Sequence, residues 1–297
     1  MIKILFFIKI FVILFIFHIF AYYLKLFFMI TREQHLKLRE KYNPDGSNRR
    51  RAQLRMVEML KFMDDFCQKN NILYWIDCGT LLGAIRHGGF IPWDDDTDVC
   101  MMRSDYKKFV KLFDDKQIGD YVLQTPKTDH GYFRFWNVIR DIKSEYVHSN
   151  DMPCEQMLKY RGLQIDIFPM LERYSRVSMN ISKKLAWRIN HYYASEANSR
   201  HHFLTKLYFN MADKIVFPLF RLLFRKKQDV ILFDYGFYGK NRYRKDIFPL
   251  KRIEFEGVTL NAPNNSLAYC KAIYGEDCLE MPKSEYIYDH HTTVIFK

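Results

Sequence analysis

The sequence is poor in cysteine, in repeats and in acidic charge. Six cysteines in 297 residues are too few for a disulfide scaffold. None falls in a Cys-x-x-Cys pair, which argues against zinc ribbons and dithiol redox chemistry. No internal repeat or low-complexity tract is present, and no RNP, KH or zinc-finger pattern occurs. Acids number 34 against 46 Lys and Arg, and the resulting charge of +12 points to an anionic partner. Nucleic acid, a membrane surface and a phosphorylated substrate all meet that description. What is abundant is apolar and aromatic side chain, 48% and 17% of the chain. That composition excludes a solvated coil, and the length suits one catalytic-sized domain with an appendage.

The apolar content is uneven. From Ile4 to Leu24 only Lys9 and His18 are clearly polar. Crossing ~30 Å of hydrocarbon takes roughly 20 apolar residues. Residues 1–30 therefore read as a single transmembrane helix, with Tyr22, Tyr23 and Lys25 at its boundary. A cleaved signal peptide is the alternative, although no small-x-small site follows Phe20. The cations after the span favour a cytosolic body, whereas sequons at Asn180 and Asn264 suit a lumenal one, so charge leaves orientation open.

The positive charge is uneven too. Between Arg173 and Lys227 stand twelve Lys and Arg and two acids, Glu196 and Asp213, amid many aromatic residues. Ile181, Leu185, Ile189 and Tyr193 recur every four residues, so amphipathic helices with outward cations account for the stretch. Contact with an anionic bilayer or with single-stranded nucleic acid are the rival readings.

Residues 31–51 are polar and read as a stem, leaving residues 52–297 as the catalytic domain. A helix is expected over Ala52–Gln68, a strand over Leu73–Ile76 and a helical turn over Leu81–Arg86 stopped by Gly88-Gly89. Further strands are expected over Val99–Met102, Tyr121–Gln124, Phe133–Ile139 and Leu163–Phe168, with a helix from Ser104 to Phe113. Helices alternating with short strands make a mixed α/β domain with helical additions.

The chemistry concentrates between Tyr74 and Met102. Asp94, Asp95, Asp96 and Asp98 crowd together, and clustered carboxylates repel one another unless a cation joins them. On a strand, Asp96 and Asp98 share a face, which offers two hard oxygen ligands suited to Mg²⁺. Asp94 shares their parity but lies nearer the loop, and Asp95 has the opposite parity. Upstream, Gly79-Thr80 follows a strand and opens a helix, where backbone N–H groups can approach a phosphate. Asp166, a lone charge inside the apolar run from Leu163 to Phe168, fits a third acidic position. Arg140-Asp141 is either a site edge or an ordinary surface ion pair.

The Gly-Thr, Asp-x-Asp and late-Asp arrangement resembles the nucleotidyltransferase superfamily. The string GTLLGAIRHGGFIPWDDDTD, from Gly79 to Asp98, is similar to its LicD/fukutin-related branch. The closing segment, with Phe255-Glu256-Gly257-Val258, Ala262-Pro263, Tyr274-Gly275 and Pro282, supports the resemblance; the stretch from Arg173 to Lys227 does not match it. The resemblance implies an α/β (α+β) fold with a nucleotidyltransferase-like mixed sheet. It also implies transfer of phosphocholine or phosphoribitol from a CDP-alcohol donor to a glycan or glycoprotein acceptor, with Mg²⁺ or Mn²⁺ and no nucleic acid partner. Asp96 and Asp98 would hold the metal with Asp94 in a weaker part. Asp166 would be a further ligand or the proton acceptor. Gly79, Thr80 and Arg86 would bind phosphate, though Arg86 reads equally as a surface cation. Members with one anchor imply a single-pass Golgi or ER membrane protein with a lumenal body, in which Cys270 and Cys278 would be free to bridge. A catalytically inactive glycan-binding or scaffolding relative is the alternative function, and a template-independent polynucleotide transferase a third.

Overall fold

Residues 32–113, 115–147, 153–172, 175–195, 199–224, 229–235, 240–282 and 293–297 are described by the computed structural model. Among the described residues two helices precede the first strand, α1 (Arg32–Tyr42) and α2 (Asn48–Lys69). The spacing of Met56, Leu60, Met63 and Cys67 predicts α2, and all four are fully buried. The helix starts four residues before the expected Ala52 because the Ser47 hydroxyl accepts the Arg50 N–H and caps it. Most of the expected stem is therefore helical. Asn43 donates to Gln53, and Gln53 donates at 2.9 Å to the carbonyl of Asp94, so the stem supports the acidic loop.

The sheet is built from β1 (Trp75–Ile76), β2 (Asp98–Met102), β3 (Gln117–Ile118), β4 (Tyr121–Gln124), β5 (Asn137–Asp141), β7 (Gln164–Glu172), β8 (Val230–Phe233) and β9 (Arg242–Tyr243), with β6 (Ser144–Val147) outside it. Its order is β1-β2-β7-β5-β4-β3, and β8 joins the far half of β7 with β9 beyond it. Among the described residues only β2 and β7 pair in parallel in this sheet; its other pairs are antiparallel. Helix α3 (Cys78–His87) connects β1 to the acidic loop and ends at Gly88, whose φ of +71° suits a left-handed cap. Helix α4 (Arg103–Phe113) packs Phe109 and Phe113 against Phe66 of α2.

Two expected strands change in length for packing reasons. The run from Phe133 is strand only from Asn137, because Phe133 and Phe135 turn into a second apolar cluster with Tyr193, Phe209 and Phe217. The run from Leu163 extends to Glu172, because Met170, Leu171 and Glu172 gain β8 as a partner. The second cluster belongs to α5 (Arg176–Ser195), α6 (Ser199–Met211), a π-helical turn (Ala212–Val216) and α7 (Phe217–Leu223). The four-residue recurrence predicts α5, whose Ile189 and Tyr193 are buried.

The transmembrane helix expected at residues 1–30 lies outside the described residues. Among the described residues no helix is long and apolar enough to cross a membrane. The two helices of spanning length, α2 with 22 residues and α5 with 20, are interrupted by charges such as Arg55, Glu58 and Lys61 or Lys183, Lys184 and Arg188. The expected fold with a leading transmembrane helix, and the single-pass Golgi or ER placement built on it, are corrected accordingly. The structure gives a mixed α/β architecture on a mixed sheet. Cys270 and Cys278 are buried free thiols.

The chain closes on β10 (Lys251–Phe255) and β11 (Val258–Ala262), with β12 (Thr293–Phe296) pairing β6. At the β10–β11 turn, Glu256 accepts from Arg50 at 2.8 Å and from the Phe90 N–H at 3.1 Å. Burial raises the Glu256 pKa, but the Arg50 hydrogen bond and charge outweigh it and hold the carboxyl below its ordinary 4.5. A depressed folded value means the pair stabilises above the unfolded pKa and is lost as pH falls through the folded one. Urea unfolding from roughly pH 6 to 3 should therefore show a shallower acid-side decline in Glu256→Gln than in the parent. An unchanged slope would remove this pair from the acid response.

Candidate active site

The site forms where β1, β2 and β7 meet the start of α3. Asp98 opens β2 and pairs in register with Asp166 of β7, so two distant aspartates stand side by side. The Asp166 N–H donates to the Thr97 carbonyl at 2.8 Å, and the Asp98 carbonyl accepts the Asp77 N–H at 3.0 Å. Thr80 receives the Asp98 N–H on its hydroxyl at 2.8 Å, so this side chain positions the aspartate strand. The N–H groups of Gly79 and Thr80 belong to the first helical turn, which has no preceding carbonyls to bond. Cys78 enters that turn at a φ of +46°, a conformation unusual for a residue with a side chain.

The acidic loop folds over this helix start. Ligand oxygens of Asp94, Asp95 and Asp96 lie within 4.8 Å of one another. Strand parity separates Asp95 from its neighbours, but this loop precedes β2, so alternation does not govern it and the structure brings Asp95 into the group. Asp98 and Asp166 stand beside the group rather than within that radius. Burial, then the charge of Asp95, pushes the Asp94 carboxyl up to about 7. Burial, then Asp98, Asp94 and Asp166, raises Asp96 well above its ordinary value. Asp98 rises likewise through burial and the charges of Asp166 and Asp77.

These carboxylates fit a divalent cation. All are hard oxygen donors, burial raises Asp94, Asp96, Asp98 and Asp166, and the buried Oδ1 of Asp166 has no hydrogen-bond partner. An oxygen left so costs free energy unless a ligand meets it.

Gly79 is required by contact. A Cβ there would lie 2.5 Å from the Asp94 Oδ2, so only glycine lets that carboxylate rest on the helix start. Alanine favours a helix over glycine by about 1 kcal/mol. Gly79→Ala should thus leave thermal stability near that of the parent while lowering activity roughly ten- to hundredfold by displacing Asp94. Equal activity in the variant would sever Asp94 from the reaction.

The cations around the cluster are mostly those the sequence did not mark. Asp166 is raised by burial, and the guanidinium charges of Arg134 and Arg140 oppose the shift. Arg140 is fully buried, donating to Gln124 at 2.7 Å and to the Gly162 carbonyl at 2.8 Å. Its neighbour Asp141 points the other way to Arg55 at 2.8 Å, so Arg140-Asp141 is not an ion pair. Asp77 and Arg242 form a buried pair at 2.7 Å behind Asp98. Arg86, expected on phosphate, directs Nη1 to the carbonyls of Cys278 and Glu280 and Nε to His87, tying down the closing segment. A charge within an apolar strand marks Arg140; nothing local marks Arg242, 165 residues from its partner.

Buried aspartates on paired strands, facing the start of a Gly-Thr helix, equip a transferase of phosphate-containing groups. The nucleotidyltransferase domain of the LicD/FKTN/FKRP type matches residues 71–228. Lipopolysaccharide cholinephosphotransferase LicD of Haemophilus influenzae is 29% identical over 259 residues, covering 82% of this chain and 95% of that protein. Human ribitol 5-phosphate transferase FKRP is 40% identical over 42 residues, 14% of this chain and 8% of that protein. The uncharacterized protein RT0683 of Rickettsia typhi is 45% identical over 67 residues, 22% of each chain. The chain belongs to the LicD/FKTN/FKRP family.

Proposed function

We propose that this protein transfers a phospho-alcohol, of the phosphocholine or phosphoribitol type, from a CDP-linked donor to a hydroxyl of a glycan. The observation that carries the reading is the register pairing of Asp98 with Asp166 beside the Asp94–Asp96 loop at the start of α3. The phosphate-group chemistry in the names of the LicD and FKRP relatives supports it.

Asp96, Asp98 and Asp166, with Asp94 alongside, would hold Mg²⁺ or Mn²⁺. Such an ion offsets the negative charge of the diphosphate and of the departing CMP. The free N–H groups at Gly79 and Thr80 bind phosphate oxygen through the positive end of α3. Arg134 and Arg140 limit the charge the aspartates present to an anionic donor. The unpartnered Oδ1 of Asp166 supports a second role, receiving the proton of the glycan hydroxyl as its oxygen bonds to phosphorus. A carboxylate suffices as base because positioning and electrostatics dominate phosphoryl transfer.

The test is a screen of CDP-choline, CDP-ribitol, CDP-glycerol and CDP-ethanolamine with Mg²⁺ and glycan acceptors, read as released CMP. One donor should stand well above the others, and CMP should appear only with metal. No release from any donor, with Mg²⁺–CDP failing to bind by calorimetry, would sink the proposal.

A further inference from the structure

The stretch rich in cations and aromatic residues has no part in the site just described, yet its surface is unusual. Helix α6, the π-helical turn and α7 run together from Ser199 to Leu223. One side of this rod is built into the second apolar cluster through Phe209, Ala212 and Phe217. The opposite side carries Phe203, Leu207, Met211, Ile215, Leu219 and Leu223, one every four residues, each between 46% and 65% exposed. In a pure α-helix a four-residue stripe drifts by about 40° per step. The π-helical turn has more residues per turn and offsets part of that drift, so the six form a ridge that winds slowly along the rod. Contiguous exposed apolar surface of this extent marks an interaction site.

Charge selects the partner. Exposed Arg200, Lys206 and Lys214 flank the ridge on the same rod, and Lys183, Lys184 and Arg188 are exposed on neighbouring α5. None of the six pairs with a carboxylate among the described residues. Trp187 and Val177 of α5 add exposed apolar surface beside these cations. A second copy docking ridge to ridge would bring like charges together, which opposes association. Anionic headgroups complement the cations while acyl chains receive the apolar side chains. No segment of this rod needs to cross the bilayer; such a helix lies in the plane of the interface.

We propose that the ridge from Phe203 to Leu223 docks the protein onto an anionic lipid surface. The inference is independent of the transfer chemistry, since no residue of the ridge belongs to the aspartate site.

Hydrogen–deuterium exchange on the full chain tests it locally, whatever the N-terminal residues do. Vesicles of equal parts phosphatidylcholine and phosphatidylglycerol should slow exchange over residues 199–223 by about tenfold, and phosphatidylcholine alone should not. The double variant Ile215→Glu, Leu219→Glu should exchange there at the vesicle-free rate with an unchanged Tm, because both side chains are exposed. Unaltered exchange of the parent on anionic vesicles would overturn the proposal, as would protection that persists in the double variant. Protection that instead rises with protein concentration without vesicles, with a dimer by sedimentation, would assign the ridge to a second copy.

Discussion

Asp98→Asn should reduce phospho-alcohol transfer by roughly 10²–10³-fold while the metal-free protein keeps or raises its Tm. The two effects have opposite signs for one physical reason. Asp98 is buried in register with Asp166 and within the field of Asp77 and Asp94, so the apo protein gains nothing from its negative charge. Asparagine keeps the shape and removes the repulsion. It also removes a hard anionic oxygen from the set that suits a divalent cation. A purely structural aspartate would behave differently, losing stability and activity together. The measurements are CMP release under saturating donor and a thermal melt with and without Mg²⁺. Parent-like turnover, or a melt several degrees lower, would refute the assignment of Asp98 to the metal. The same pair of measurements on Asp96→Asn should agree in sign, since Asp96 is raised by burial and by four neighbouring aspartates.

The second large effect lies behind the site. Arg242→Met should destabilise the protein by about 3–5 kcal/mol, because breaking a buried pair from one side strands the other charge. The Arg242 guanidinium donates to Asp77 at 2.7 Å and to the Tyr269 hydroxyl at 2.7 Å, and lies 4.4 Å from the Phe233 ring centroid. Both partners of the ion pair are almost wholly buried. The double variant Arg242→Met, Asp77→Asn should recover much of that loss, since a neutral pair leaves no uncompensated charge. Urea unfolding of the parent, the single and the double variant decides it. A single variant within 1 kcal/mol of the parent would contradict the buried pair, 1 kcal/mol being about the most an exposed pair contributes. The bond from the Asp77 backbone N–H to the Asp98 carbonyl is kept in the double variant, so the strand pairing at the site should survive it.

The site was legible in part. Gly79-Thr80, Asp96, Asp98 and Asp166 stand out because each breaks a local pattern: a small residue between strand and helix, acids packed against one another, a charge in an apolar run. The structure brings these segments together. The cation of Arg86 is visible in the sequence whereas two of its acceptors, carbonyls of Cys278 and Glu280, are not. Arg134 and Arg242 escape for the converse reason, since the partners that give them meaning, Glu155 and Asp166 for the one and Asp77 for the other, lie far along the chain. The apolar run at Phe133 misleads as strand because alternation alone does not say which core a phenylalanine will enter.

By itself the sequence determined what short-range rules govern. Helix spacing in α2 and α5, the stop at Gly88 and the Gly-Thr helix start all follow from residues within a turn or two of one another, and the family resemblance from motifs read along the chain. Tertiary structure decided what depends on pairs far apart. It set Asp98 beside Asp166, let Asp94 rest on Gly79, drew Asn43 of the stem, through Gln53, under the acidic loop, and left an apolar ridge uncovered on the helices. The opening surplus of cations is likewise divided only in three dimensions. Arg140 and Arg242 lie buried and Arg134 half-buried around the aspartates, while the lysines of α5 and α6 stand in solvent. Pairing of that kind is long-range chemistry, and local periodicity carries no record of it.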